Sequence, residues 1–175
     1  YQMNRCVPVE ALRYQYLRKF YPVNRQKISK DKKKLLVVGD ISNLTTHQMM
    51  LQLESAYHKF KDKFTVTIKP HTANNIDLSK YSRISASLEK QNLMDIFHKA
   101  DVVLASIYTS ASLDAYCAGL PVITFLDPNN FNFSPLRLNH NIRFVNNAEE
   151  IIWEFSCDEG IIRKSGFITP REIDR

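Results

Sequence analysis

The sequence predicts an α/β fold: a Rossmann-like three-layer α/β/α sandwich on a parallel sheet of about five strands, preceded by a helical arm. Three observations carry that prediction. Short apolar runs without alternation recur at Lys34–Asp40 (KLLVVGD), Val102–Ala105 and Pro121–Leu126, as strands buried on both faces require. Segments of helical period lie between them. Finally, Ala100–Pro128 (ADVVLASIYTSASLDAYCAGLPVITFLDP) reads as a complete strand–helix–strand crossover.

Taken in order, residues 1–33 form an arm and a basic linker. Glu10–Phe20 places Leu12, Tyr16 and Phe20 on one helical stripe, and Pro22 ends it. The stripe needs a partner surface, for which a separate domain is a candidate. The Rossmann-like domain spans 34–155. Its first strand closes on Gly39, and Thr45–Phe60 follows as a helix with Met49, Leu53, Tyr57 and Phe60 on one face, Met50 sharing that duty. Phe64–Lys69 is the second strand and runs into Pro70 and His71; Asn74–Lys80 is a polar loop. SRISAS around Ile84 is the weakest candidate, a short third strand. Asn92 with Asp95 three residues on reads as a capping-box variant, with Leu93 and Phe97 buried behind it.

In the central unit, Thr109 or Ser110 supplies the N-cap hydroxyl of a helix over about 110–119, which Gly119 and Pro121 stop. Leu113, Cys117 and Leu120 make its core face, and Asp114 lies beside that stripe. A long loop, Asp127–Asn141, leads to a strand at Ile142–Val145. Asn147 then caps Glu150 in a helix carrying Ile151, Ile152 and Phe155, and 156–175 reads as a polar tail.

The chain's 175 residues suffice for one domain with a real core. It opens on Tyr1, as an excised or processed piece does. No apolar run is long enough to span a bilayer, and no signal-peptide pattern opens the chain. Cys6, Cys117 and Cys157 are odd in number and widely spaced, which fits a reducing cytoplasm. Much of the net charge of +6 sits at Arg25, Lys27, Lys30, Lys32, Lys33 and Lys34. That run reads as a solvated linker, since no aromatics interleave it as base-stacking surfaces require; no nucleic-acid partner is expected.

Three polar clusters lie at predicted carboxyl ends of strands: Gly39-Asp40-Ile41-Ser42, Lys69-Pro70-His71-Thr72, and Ser106–Ser112 with Asp114. In one parallel sheet they converge on a single rim, where open α/β sheets bind ligands. A cation such as Lys69 beside a hydroxyl-rich helix start suits a diphosphate. Asp114 is either a carboxylate stabilised by the helix dipole or an acceptor for ribose hydroxyls. His71 is either a turn residue or a ligand contact. GxxxxGK(S/T), GxGxxG and GxSxG are all missing. His47, His58, His71, His98 and His140 have no zinc spacing.

The run Ala100-Asp101, apolar strand, small-residue turn, Asp114-Ala115 and Ala118-Gly119-Leu120-Pro121-Val122-Ile123 resembles the C-terminal, donor-binding half of GT-B glycosyltransferases. Lys69-Pro70-His71 is similar to the KPHP-like turn of bacterial capsule, sialic-acid and polyol-phosphate transferases of this architecture. Glu10–Tyr14, Ala118–Leu126 and the loop Asp127-Pro128…Phe131-Asn132…Ser134–Arg137 are similar to bacterial surface carbohydrate biosynthesis proteins. The likeness covers roughly residues 35–155. It departs from the superfamily pattern in having Asp114 for Glu, no glycines in the turn, and Thr72 for a second proline.

The resemblance implies a nucleotide-sugar donor as substrate, no metal and no other cofactor. It places Asp114 on ribose, Thr109, Ser110 and Ser112 with Lys69 on phosphate, His71 near phosphate or sugar, and Gly39 on the rim. An acceptor domain on the N-terminal side supplies the catalytic base, so this piece alone binds without turnover; the whole protein is cytoplasmic or at the inner membrane face. The alternatives are a nucleotide-sugar epimerase, for which no pair of cleft carboxylates stands out, and a non-catalytic binding or scaffold module.

Overall fold

The computed structural model describes residues 32–140 and 142–156. The arm helix at 10–20, most of the basic linker, the tail beyond 156, and Cys6 and Cys157 lie outside the described residues. In chain order the elements are β1 (Lys33–Val38), α1 (Asn43–Tyr57), β2 (Phe64–Lys69), β3 (Ala86–Leu88), α2 (Leu93–Ile96), β4 (Val102–Ser106), α3 (Ala111–Cys117), β5 (Val122–Phe125), β6 (Arg143–Val145) and α4 (Ala148–Ser156). Single 3-10 turns occupy Leu78–Lys80 and Phe97–Lys99.

All strand pairings are parallel, and the order across the sheet is β3-β2-β1-β4-β5-β6. This is the doubly wound arrangement, in which the direction of winding reverses between β1 and β4. The sheet has six strands where the sequence predicts about five. The short third strand expected around Ile84 is realised slightly later in the chain, as β3 at Ala86–Leu88; its residues are half-buried or exposed, so they carry little of the apolar signal that marks a strand.

Each face of the sheet has its own core. Leu35, Val37, Val66, Ile68, Leu104 and Ile123 pack under α1 and α4, through Met49, Met50, Leu53, Ile151 and Phe155. Leu36, Val38, Val103, Ala105 and Val122 pack under α2 and α3, through Ile96, Phe97, Ala111, Ala115 and Leu120. Successive strand residues point to opposite faces, so uninterrupted apolar runs are what two covered faces demand.

The helix ends show where local signals held. Ser42 caps α1 by accepting from the Thr45 amide. The Glu150 amide donates to the Asn147 side chain at 2.9 Å, the cap the sequence predicts for α4. Gly119, at φ 75°, closes α3 in a Schellman arrangement: the Leu120 amide reaches the Ala115 carbonyl and the Gly119 amide reaches that of Tyr116. The Asn92 cap fails, however. Its side chain makes no capping bond, and α2 lasts a single turn before tightening into 3-10 geometry. The core face of α3 also differs. Leu113 is only half-buried, while Ala111 and Ala115 point inward against the sheet.

Candidate functional site at the strand crossover

The carboxyl ends of β1 and β4 flank the point where the winding reverses, and here the three polar clusters are tied together. Asp40, just beyond β1, is fully buried. One oxygen of its carboxylate accepts from the Ser42 amide. The other accepts from the hydroxyl of Ser106, the last residue of β4. Ser106 Oγ in turn receives the Tyr108 amide at 3.3 Å. A chain of bonds therefore runs from β1 through Asp40 and Ser106 into the turn before α3.

The β2 end joins the same rim. The Gly39 amide donates to the Lys69 carbonyl at 2.9 Å. A Cβ on Gly39 would stand 3.2 Å from the His71 nitrogen, so glycine is what lets the Pro70-His71 backbone close against β1. Asn74 completes the link, its side-chain amide donating to the Asp40 carbonyl at 3.0 Å and also to that of Ile41.

Within the β4–α3 turn the N-cap position falls on Ser110, and the hydroxyl of Thr109 just before it accepts from the Ala111 amide at 3.2 Å. Ser110 is exposed and makes no side-chain cap bond. Ser112 is buried and donates to the Thr109 carbonyl, so its hydroxyl proton is turned back into the turn. Asp114 is 2 % exposed. Its charge, after burial itself, helps push the neighbouring Cys117 thiol up to about 11.

Lys69 is the lateral partner of Val38, which belongs to the α2/α3 core. Paired residues in a parallel ladder point to the same face, so Lys69 emerges on the face that carries Asp114. Lys69 ends β2, whereas Asp114 lies on α3, which packs over β4 and β5, so β1 stands between them. The Glu89 carboxyl is held below its ordinary range first by the Gln91 amide, and in smaller part by the Lys99 and Lys69 cations. His71 is half-buried and acts in a turn: its Nδ1 receives the Ala73 amide at 3.2 Å.

The structure thus brings Gly39, Lys69, His71, Thr109, Ser110, Ser112 and Asp114 to one end of one sheet. Ser110 is exposed and Thr109 half-buried, while Ser112 and Asp114 lie beneath the surface. The parts played by three residues were not evident from the sequence. Asp40 and Ser106 stand out only as members of polar clusters, not as a bonded pair, and Asn74 reads only as loop. Among the described residues, no three His, Cys, Asp or Glu side chains gather as a metal site.

No family model matches the sequence, and no curated protein matches it. Solved structures do. The wall teichoic acid polymerase TagF superposes with a TM-score of 0.56 at 16 % identity, over 91 % of this chain and 38 % of that one. The glycosyltransferase SnogD from Streptomyces nogalater gives 0.54 at 11 % identity, over 81 % and 39 %. The catalytic domain of cholesterol-alpha-glucosyltransferase from Helicobacter pylori gives 0.51 at 20 % identity, over 76 % and 93 %. The fold is therefore the Rossmann-like α/β half found in GT-B glycosyltransferases. The chain spans about two-fifths of the length of TagF and of SnogD.

Proposed function

We propose that this domain holds the nucleotide-sugar donor of a glycosyltransferase that builds bacterial surface polysaccharide such as capsule, O-antigen or lipooligosaccharide. The observation carrying this reading is the crossover rim, where β1, β2 and β4 meet and Asp40, Ser106 and Asn74 fix their ends relative to one another. Ligands of doubly wound sheets sit at this position. The solved neighbours, a wall teichoic acid polymerase among them, support the transferase class.

In this reading Lys69 and the Thr109–Ser110 hydroxyls meet the diphosphate, and Asp114 accepts from ribose. His71 lies near phosphate or sugar. A cation and oriented donors stabilise a leaving nucleoside diphosphate without a metal. The catalytic base comes from a second domain, so the 175-residue chain binds its donor without turning it over.

Burial of Asp114 and Ser112 favours a second reading, a non-catalytic module whose rim is closed by its own side chains. Titration calorimetry with UDP, CMP, GDP and ADP separates the two. The donor-site reading expects saturable binding of one nucleotide. Lys69→Ala or Asp114→Ala should weaken it about tenfold or more, the worth of a hydrogen bond to a charged group, with circular dichroism unchanged. A flat response to all four nucleotides by a folded chain selects the module.

A further inference from the structure

Beyond the donor site, the loop between β5 and β6 presents a surface of unusual composition. Phe131 is 81 % exposed, Phe133 61 % and Leu138 82 %. The rings touch in series, Phe131 to Phe133 with centroids 6.2 Å apart and Phe133 to Tyr108 at 6.0 Å. Tyr108 opens the turn before α3, so the patch begins beside the rim.

The loop is held in shape from beneath. Asp127 accepts from the Asn129 amide and from both the Asn129 and Asn130 side chains. Ser134 is fully buried and receives the Leu136 amide, while Leu136 is anchored in the α2/α3 core. An ordered base that turns two phenylalanines and a leucine outward marks a contact surface.

Charge narrows the partner. From 102 to 148 the sequence contains two acids, Asp114 and Asp127, and both are buried. Arg137 and His140 are exposed on the same loop. A second copy of the chain would offer this surface no carboxylate from its own patch, so a two-fold pairing lacks complementarity. Aromatic rings settle at the headgroup level of a bilayer, and arginine is drawn to anionic lipid there. We infer that the Phe131–Leu138 loop inserts into the interface of an anionic membrane, bringing the crossover rim against the bilayer. The inference adds a surface to the donor-site reading but stands on separate residues.

Lysines 32, 34, 59, 61 and 63 are also exposed, at the amino end of the sheet, so the test must separate ring insertion from simple attraction. The whole chain is sedimented with phosphatidylcholine vesicles, with and without phosphatidylglycerol. Binding to the anionic vesicles is expected. The combined Phe131→Ser, Phe133→Ser and Leu138→Ser variant, with every charge kept, should bind at least about tenfold more weakly. Phe131→Trp, made in a Trp153→Phe background, should shift to the blue on binding and be quenched by brominated acyl chains.

No vesicle binding by the folded chain, equal binding by the serine variant, or an unquenched tryptophan overturns the inference. So does a serine variant that keeps vesicle binding but loses nucleotide, which would make the rings a platform for the ligand. A flat nucleotide titration beside intact vesicle binding would defeat the donor-site reading alone.

Discussion

At the scale of single residues, the pair Asp40 and Ser106 is the joint of the molecule. The carboxylate is fully buried and satisfied by one amide and one hydroxyl. Removing the hydroxyl leaves a buried charge short of a donor, which costs more than the bond itself is worth. Ser106→Ala should therefore lower the free energy of unfolding by about 1–3 kcal/mol, measured in urea. It should also weaken nucleotide binding if the rim is the donor site, because the Tyr108 amide loses its acceptor. Cys117 gives a second expectation. Burial, and after it the Asp114 charge, push its thiol from 9.0 up to about 11, so the folded state binds the proton more tightly than the unfolded chain does. That contribution is complete below pH 9 and is lost as pH rises toward 11. Mass mapping after iodoacetamide at pH 8 should find Cys117 unmodified until denaturant is added.

At the scale of elements, the covered strands were legible because a sheet buried on both faces leaves apolar runs with no other explanation. β3 was legible only as a weak candidate around Ile84, because its three residues include no buried position. The clusters at the strand ends were legible too, but not the bond between Asp40 and Ser106. They are 66 residues apart, and periodicity carries no information on which strand lies beside which. The α2 cap failed because tertiary packing of Ile96 and Phe97 sets that turn, not the Asn92 side chain. Gly119 stops α3 as its sequence context predicts, and its positive φ gives a test. Gly119→Ala should destabilise by about 1–2 kcal/mol. Gly39→Ala acts differently, since its backbone is not left-handed. The added methyl meets the His71 backbone nitrogen at 3.2 Å, so it should push the β2 end away from β1 and, if the rim is the donor site, weaken nucleotide binding more than it lowers stability. In α4, burial raises the Glu154 carboxyl, opposed by Arg143 at 3.8 Å. A raised carboxyl favours folding below its ordinary range and costs stability as pH rises through the shifted value. Glu154→Gln should remove that decline, seen as a flatter melting temperature above pH 4.5.

At the scale of the whole molecule, the sheet separates two cores, and the rim meets the α1/α4 side at the strand ends and at the start of α1, where the Asp40 amide donates to Thr46 at 2.8 Å. Phe155 lies in the α1/α4 core against Phe60 and Phe64, with centroids at 4.9 and 5.1 Å, on the face opposite α3 and Asp114. Phe155→Ala should cost about 3–5 kcal/mol, through lost transfer energy and the cavity left behind. Nothing in that loss touches the rim. In the proposed donor-site reading, a nucleotide at the rim would stabilise the folded state by its affinity and concentration alone, about 2.7 kcal/mol at a hundredfold excess over Kd. The same increment should therefore appear in the parent chain and in Phe155→Ala, although the variant starts from a lower melting temperature. Calorimetric unfolding with and without the nucleotide measures both increments. Equal increments mean that the second core supports the rim only by keeping the chain folded. A smaller increment in the variant would mean that packing under α4 reaches through the sheet to the ends of β1 and β4, and the two faces would then act as one body.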